Sequence, residues 1–175
     1  MKIKFVLLFL SCVVLANCGD DNNTNDVKIT ENKEQNAPIT AKTIEGIDYK
    51  DYVLSPESEK AIVTWERYHE LAMQINYLKK ADFSFFNGEK ELLKKFIEEF
   101  KTQMPKELAT NHITSRNAII ETTLLKLNES LTLDNISRKD KLKGIKEVFI
   151  AFSNLNYMIN EKLESDVYGK IQPEK

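Results

Sequence analysis

The run LKGIKEVFIAFSNLNYMINEKL at residues 142–163 places apolar side chains in alternating steps of three and four residues. That spacing puts them on one face of an α-helix. The helix should begin after Ser137, because Ser137-Arg138-Lys139-Asp140 resembles a capping box, in which the serine hydroxyl and an acidic side chain satisfy free backbone N–H groups. The predicted core seam is Leu142, Ile145, Phe149, Phe152, Asn156, Ile159 and Leu163.

A first helix is predicted well before this run, from Ser55 to about Lys80. Ser55 can cap it, and Pro56 at the first helical position loses no hydrogen bond that the helix needs. Three aromatic residues at 83–86 follow in a turn and are expected to close the end of the core. The core face of this helix is predicted to be Ala61, Trp65, Tyr68, Ala72 and Ile75.

Two more amphipathic helices lie between the first and the last. One covers about residues 89–103 and ends before Pro105, which cannot continue a helix. The other begins between Thr110 and Thr114. Their predicted core residues are Leu93, Phe96, Ile97, Phe100 and Met104 in the former, and Ile113, Asn117, Ile120, Leu124, Leu127 and Leu131 in the latter.

Short connections between amphipathic helices of similar length imply antiparallel neighbours. The sequence therefore predicts an all-α domain at residues 55–168, an antiparallel up-down-up-down four-helix bundle, followed by a C-terminal tail at 169–175. Both cysteines, Cys12 and Cys18, precede this domain, so its stability must come from a packed core.

The first seventeen residues have the pattern of a secretory signal peptide. Lys2 and Lys4 give a positive start, and residues 5–16 form an apolar run of twelve residues. A membrane-spanning helix needs about 20 apolar residues, and the charged Asp20 follows too soon for one. We therefore expect residues 1–17 to be removed.

The end of this leader, Leu15-Ala16-Asn17-Cys18, resembles the lipobox of bacterial lipoproteins, although Asn17 stands where that pattern prefers a smaller residue. The resemblance implies cleavage before Cys18, lipidation of its sulfur, and attachment to the lipid bilayer. Two alternatives stay open, which are cleavage after Ala16 and lipidation of Cys12. Gly19-Asp20-Asp21 also looks like the acidic export signal of some surface-displayed lipoproteins, so the predicted location is the outer membrane, on its periplasmic face or at the cell surface.

Residues 18–54 are predicted to be the lipidated cysteine and a flexible polar linker, because they are too polar to offset the entropy of ordering them. The whole chain has 175 residues and a formal net charge of −2. Loss of Lys2 and Lys4 with the leader leaves 23 basic against 27 acidic residues, a net charge of −4. The absence of a basic block argues against nucleic-acid binding.

Three polar or amphipathic residues on the predicted seams, Trp65, Asn117 and Asn156, fall at similar heights along the bundle and could form one polar core layer. Such a layer could line a pocket. The alternative is that buried asparagines fix the register of the helices at some cost in stability, and the sequence favours this second interpretation.

Glu66-Arg67-Tyr68-His69 contains the Glu-x-x-His of di-iron helical bundles, but those need the motif on two helices, and Ala109 stands three residues before the other histidine, His112. No metal site, cofactor or catalytic residue is therefore predicted. The glycines are too dispersed for a phosphate-binding loop.

Together with Phe152-Ser153-Asn154-Leu155-Asn156 on the last helix, the leader makes the chain similar to small outer-membrane lipoproteins with helical-bundle domains. That resemblance brings no known activity. We expect a non-enzymatic binding or structural module with an envelope protein partner. The alternatives are a metal- or ligand-handling bundle that uses Glu66 and His69, and an inhibitor or immunity-type lipoprotein.

Overall fold

A computed structural model describes residues 37–171. Within that range the chain forms helices and no β-strand, which confirms the all-α prediction. The predicted leader, Cys18 and the linker as far as residue 36 lie outside the described residues. The helices are α1 Ala41–Glu45, α2 Pro56–Ala61, α3 Glu66–Lys79, α4 Lys90–Thr102, a 3₁₀ turn Lys106–Leu108, α5 Asn111–Thr132 and α6 Arg138–Ile171.

Helices α5 and α6 form the most extensive helix pair in the described part of the chain. Side-chain caps start both, since Thr110 Oγ1 accepts from the Ile113 N–H at 3.3 Å and Ser137 Oγ accepts from the Asp140 N–H at 3.1 Å. Gly144 lies close to Leu127, because a Cβ added there would stand 3.3 Å from the Leu127 Cδ1 atom. Helix α6 also continues to Ile171, so the predicted tail at 169–175 begins inside a helix.

The predicted first helix is two helices, α2 and α3, separated at residues 62–65. Ile62, Val63 and Thr64 are three consecutive β-branched residues, which lose side-chain freedom in a helix. The break places Trp65 before the first residue of α3, and its side chain is fully buried. Helical periodicity alone therefore does not reveal the break at residues 62–65, although the low helix propensity of the β-branched residues there indicates it.

The connection from α3 to α4 begins with a turn that ends α3 and contains a fully buried aromatic residue. Ala81 adopts φ 64°, and hydrogen bonds from the Ala81 N–H to the Leu78 carbonyl and from the Asp82 N–H to the Tyr77 carbonyl close the helix. This is the Schellman arrangement that commonly ends helices. Phe86, the last of the three aromatic residues in the turn, is fully buried.

Residues 37–54 differ from the predicted flexible linker. Thr40 caps the short helix α1, Ile44 is 2% exposed, and Ile39, Ile47 and Tyr49 pack against the core. Residues 18–36 are polar, and isoleucines and aromatic residues become frequent only after residue 38. The predicted linker extends across this change in composition. The packed domain therefore begins near Ala37 rather than Ser55.

Replacing Ile44 with alanine should lower the free energy of unfolding by about 2–4 kcal/mol, the usual cost of truncating a buried isoleucine. Chemical denaturation of the purified protein measures this. The matched control is Ile119→Ala on α5, where the side chain is 41% exposed, and its effect should stay below about 1 kcal/mol. Equal effects of the two substitutions would mean that α1 does not belong to the core.

Candidate functional site

A cleft of 580 Å³ lies between residues 49–54 and helices α3 and α6. We call it the α3–α6 cleft. Its lining includes buried apolar side chains from both helices, such as Ile75 and Phe149, and polar groups nearer the rim, such as Asn76 and Lys79. A preformed concavity with a few polar groups is the usual form of a small-ligand or side-chain binding site.

One wall of the cleft is a segment without regular secondary structure, residues 50–55, whose backbone is held by side chains of α6. Ser153 Oγ accepts from the Tyr52 N–H at 2.7 Å and donates to the Lys50 carbonyl at 2.7 Å. Asn160 Oδ1 accepts from the Ser55 N–H, and its amide donates to the Val53 carbonyl, both at 2.9 Å.

Asn156 lies between these two residues on α6 and joins the same segment to α3. Its amide nitrogen donates to the Tyr52 carbonyl at 2.9 Å, and its Oδ1 accepts from the Tyr68 hydroxyl at 2.7 Å. Ser153, Asn156 and Asn160 therefore form a ladder of hydrogen bonds along one side of α6, which satisfies backbone groups that have no sheet or helix partner.

Tyr68 forms the buried floor of the cleft. Its ring stacks on Phe152 with centroids 5.2 Å apart, and its side chain is 4% exposed. Burial raises the pKa of the Tyr68 hydroxyl well above its ordinary value of 10.0, and the negative charge of Glu59 adds to the rise. The hydroxyl therefore stays protonated and available to donate to Asn156.

The raised pKa of Tyr68 gives the domain a specific alkaline sensitivity. The hydroxyl of an unfolded tyrosine ionises near pH 10, whereas the hydroxyl of folded Tyr68 stays protonated there. The contribution of Tyr68 to the free energy of unfolding is therefore complete below pH 10 and is lost as the pH rises through the folded-state pKa. Above pH 10 the unfolding free energy of the wild type should fall more steeply than that of Tyr68→Phe, by about 1.4 kcal/mol per pH unit.

Denaturation at several pH values between about 9 and 11.5 measures that difference in slope. Ile44→Ala, which is destabilised but keeps Tyr68, is the control and should retain the wild-type slope. Parallel profiles for the wild type and Tyr68→Phe would contradict the assignment.

Charged groups at the rim of the cleft pair with one another. Lys79 Nζ lies 2.9 Å from Asp51 Oδ2, which also accepts from the Tyr49 hydroxyl at 2.9 Å. The Lys79 ammonium stands 5.8 Å from the ring centroids of both Tyr49 and Phe149. These contacts connect residues 49–51 with Lys79 of α3 at the mouth of the cleft.

The three residues of the predicted polar layer are all buried. Trp65 donates its indole N–H to the Phe100 carbonyl at 2.7 Å, and its ring lies 5.5 Å from that of Tyr68. Trp65 and Asn156 are thus linked through Tyr68. Asn117 forms no hydrogen bond with either residue: its amide nitrogen lies 3.2 Å from Met104 Sδ, and its Oδ1 has no hydrogen-bond partner.

Replacing Asn117 with leucine should raise the unfolding free energy, by about 1 kcal/mol, because a buried oxygen without a partner is exchanged for an apolar group of similar size. Thermal unfolding measures this as an increase in melting temperature. A clear decrease would show that Asn117 has a polar partner, such as a buried water molecule, that stabilises the fold.

Three further polar residues were missed by sequence reasoning. Ser153 and Asn160 border the α6 seam, and their polarity alone did not distinguish them from solvent-facing residues. Asn128 follows the seam residue Leu127, is 2% exposed, and donates to the carbonyls of Phe86 and Gly88, both at 2.9 Å. The position of Asn128 next to a predicted core residue was the sequence feature that could have indicated its burial.

The Glu-x-x-His motif has no metal-site geometry. His69 Nε2 lies 3.1 Å from the Ile62 carbonyl oxygen, and Glu66 is exposed. Among residues 37–171, no group of three or more histidine, cysteine, aspartate or glutamate side chains is arranged to hold a metal ion.

Cys18, the predicted lipidation site, lies outside the described residues. In the part of the chain that the structure covers, no helix has the length and apolar character needed to span a bilayer. Comparisons with protein-family models, with curated proteins and with solved structures find no match to this chain.

Proposed function

We propose that this chain is a lipoprotein of the bacterial outer membrane, anchored through acylated Cys18, whose helical domain is a non-enzymatic binding module for an envelope protein. The observation that carries the proposal is Leu15-Ala16-Asn17-Cys18 at the end of a signal-like apolar run. Asn17 stands where the lipobox pattern prefers a smaller residue. The first test is therefore which residue carries the lipid.

Acylation of Cys18 would determine how the domain is held. Each buried methylene of an acyl chain contributes about 0.8 kcal/mol, so one chain binds a bilayer reversibly while two or three anchor it stably. The domain would then stay at the membrane without any apolar helix of its own. Eighteen residues, 19–36, would separate the anchored cysteine from the first packed residue.

The α3–α6 cleft supports a binding role. Its wall is held by the Ser153, Asn156 and Asn160 ladder, and the Lys79–Asp51 ion pair lies at its mouth. A preformed cleft loses little conformational entropy when it is occupied. We further propose that α3 to α6 form an up-down-up-down bundle, which the contacts between successive helices support.

Metabolic labelling with a palmitate analogue tests the anchor. Wild-type protein should incorporate the label, and Cys18→Ala should lose it, while Cys12→Ala should retain it. Label that persists in Cys18→Ala and disappears in Cys12→Ala would move the anchor to Cys12. Absence of label from all three proteins would reject the lipoprotein assignment.

A photocrosslinking amino acid tests the binding role in intact cells. Placed at Asn76, an exposed residue that lines the cleft, it should give a discrete crosslinked protein. Placed at Lys126, an exposed residue of α5 that does not line the cleft, it should not. The same products at both positions, or none at either, would reject the cleft as the binding surface.

A further inference from the structure

A second concavity, separate from the α3–α6 cleft except for its edge at Tyr52, lies between the start of α2 and the C-terminal part of α6. It has a volume of 680 Å³, and we call it the α6 groove. Helix α6 has 34 residues against 22 in α5, a difference in length of about 18 Å. Most of the residues that line the groove belong to the C-terminal half of α6.

Large apolar side chains on α6 are exposed in this groove. Tyr168 is 62% exposed, Val167 49% and Tyr157 36%. Single exposed apolar residues are ordinary on protein surfaces, but several that line one concavity are typical of a contact surface. Tyrosine is also among the residues that contribute most to protein interfaces.

The groove is electronegative. Glu57, Glu161 and Glu164 line it, and no lysine or arginine does so among the described residues. The negative charge of Glu161 is the largest cause that raises the pKa of the Tyr157 hydroxyl. The C-terminal end of a helix adds negative partial charge, since its last carbonyl groups have no helical partners.

The edge of the groove already holds one cation from this chain. Lys50 Nζ lies 4.4 Å from the ring centroid of Tyr52, whose ring is itself 4.7 Å from that of Tyr157. An ammonium group over a tyrosine face is a favourable cation–π contact. Lys50 thus occupies the Tyr52 face at the edge, and it is not among the residues that line the groove itself.

Charge separates the possible occupants of the groove. An anionic bilayer surface would be repelled by the three carboxylates. A second copy docked symmetrically on the same surface would set carboxylates against carboxylates. A basic amphipathic segment would instead cover the apolar side chains and neutralise the carboxylates at the same time.

We propose that the α6 groove is the docking site for a basic amphipathic segment of a protein partner. Apolar side chains of the segment would contact Tyr157, Val167 and Tyr168, and its lysines or arginines would pair with Glu57, Glu161 and Glu164. The inference rests on the proposed function in that it takes the domain to be a binding module, but it uses a different surface from the α3–α6 cleft.

Fluorescence anisotropy with the full chain in nonionic detergent tests this proposal. The probe is a labelled helical peptide of lysine and leucine, with a glutamate–leucine peptide of the same pattern as its counterpart. Glu161→Lys/Glu164→Lys should weaken binding of the lysine peptide about tenfold, since two attractions become repulsions. Tyr168→Ser should weaken it as well, and added salt should reduce it.

Glu107→Lys/Glu129→Lys is the matched control, because it makes the same charge change at two exposed residues outside the groove. It should change the affinity less than about twofold. Binding of the peptide to detergent alone is the same for both double variants, so it does not affect the comparison between them. Equal effects of the two double variants, or equal binding of the glutamate peptide, would overturn the proposal.

The acyl anchor would insert into anionic and neutral vesicles alike, so only a difference between the two reports on the groove. Stronger association of the wild type with anionic than with neutral vesicles, in place of binding to the lysine peptide, would overturn the proposal in favour of a membrane. Self-association that Tyr168→Ser removes, with no peptide binding, would overturn it in favour of a second copy. None of these results depends on acylation of Cys18 or on crosslinking at Asn76. Failure of this proposal is therefore distinguishable from failure of the proposed function.

Discussion

Asn156→Leu should lower the free energy of unfolding by about 2–4 kcal/mol, although it replaces a buried polar residue with an apolar one. The substitution leaves the Tyr68 hydroxyl and the Tyr52 carbonyl without the partners that Asn156 provides at 2.7 Å and 2.9 Å. Each unsatisfied buried group costs about 1–3 kcal/mol, which exceeds the gain from the leucine side chain. Thermal unfolding should show a decrease of about 8–16 °C.

The Tyr68 partner provides an internal control for that result. In the Asn156→Leu background, Tyr68→Phe removes the hydroxyl that has lost its acceptor, so it should cost less stability than in the wild type. A double-mutant cycle measures this coupling. Unchanged or increased stability of Asn156→Leu, or additive effects of the two substitutions, would contradict the hydrogen-bond geometry and restore the interpretation that Asn156 only fixes helix register.

Asn128→Leu should also lower the unfolding free energy by about 2–4 kcal/mol. Its amide donates to the carbonyls of Phe86 and Gly88, which tie the aromatic turn to α5. Leucine cannot donate, so two backbone acceptors would lose their partner in a largely buried site. Denaturation measures the loss, and faster amide exchange around residues 83–88 should accompany it.

Asn117→Leu is the matched control for this second prediction, because both asparagines lie on α5 and each is 2% exposed. The two substitutions are chemically identical and should have opposite signs. A similar decrease in both proteins would mean that burial alone, rather than the number of satisfied hydrogen bonds, determines the outcome. Slow exchange in the turn of Asn128→Leu would likewise contradict the assigned role.

Periodicity predicted the long helices well because it reports which face is buried. Ile145, Phe149, Phe152, Asn156 and Ile159 on α6 are all buried as expected. Periodicity cannot report what a buried polar atom contacts. Asn117 and Asn156 therefore looked alike in the sequence, whereas one amide has an oxygen without a partner and the other bridges two segments.

The parts that sequence reasoning missed depend on contacts over long sequence separations. Ser153 bonds to the backbone of Lys50 and Tyr52, about a hundred residues away, and no local pattern marks that pairing. The polar stretch before residues 37–54 makes them resemble a continued linker, although Ile44 belongs to the core. The run Ile62-Val63-Thr64, by contrast, contained a local signal for the break between α2 and α3.

The proposed function depends on attachment of the helical domain to a membrane through Cys18. Mass spectrometry of the N-terminal peptide of the protein extracted from membranes tests it most directly. We expect a mature chain that begins at Cys18 and carries a diacylglycerol thioether. A chain that begins at Asn17 without lipid, or a lipidated chain that begins at Cys12, would contradict it.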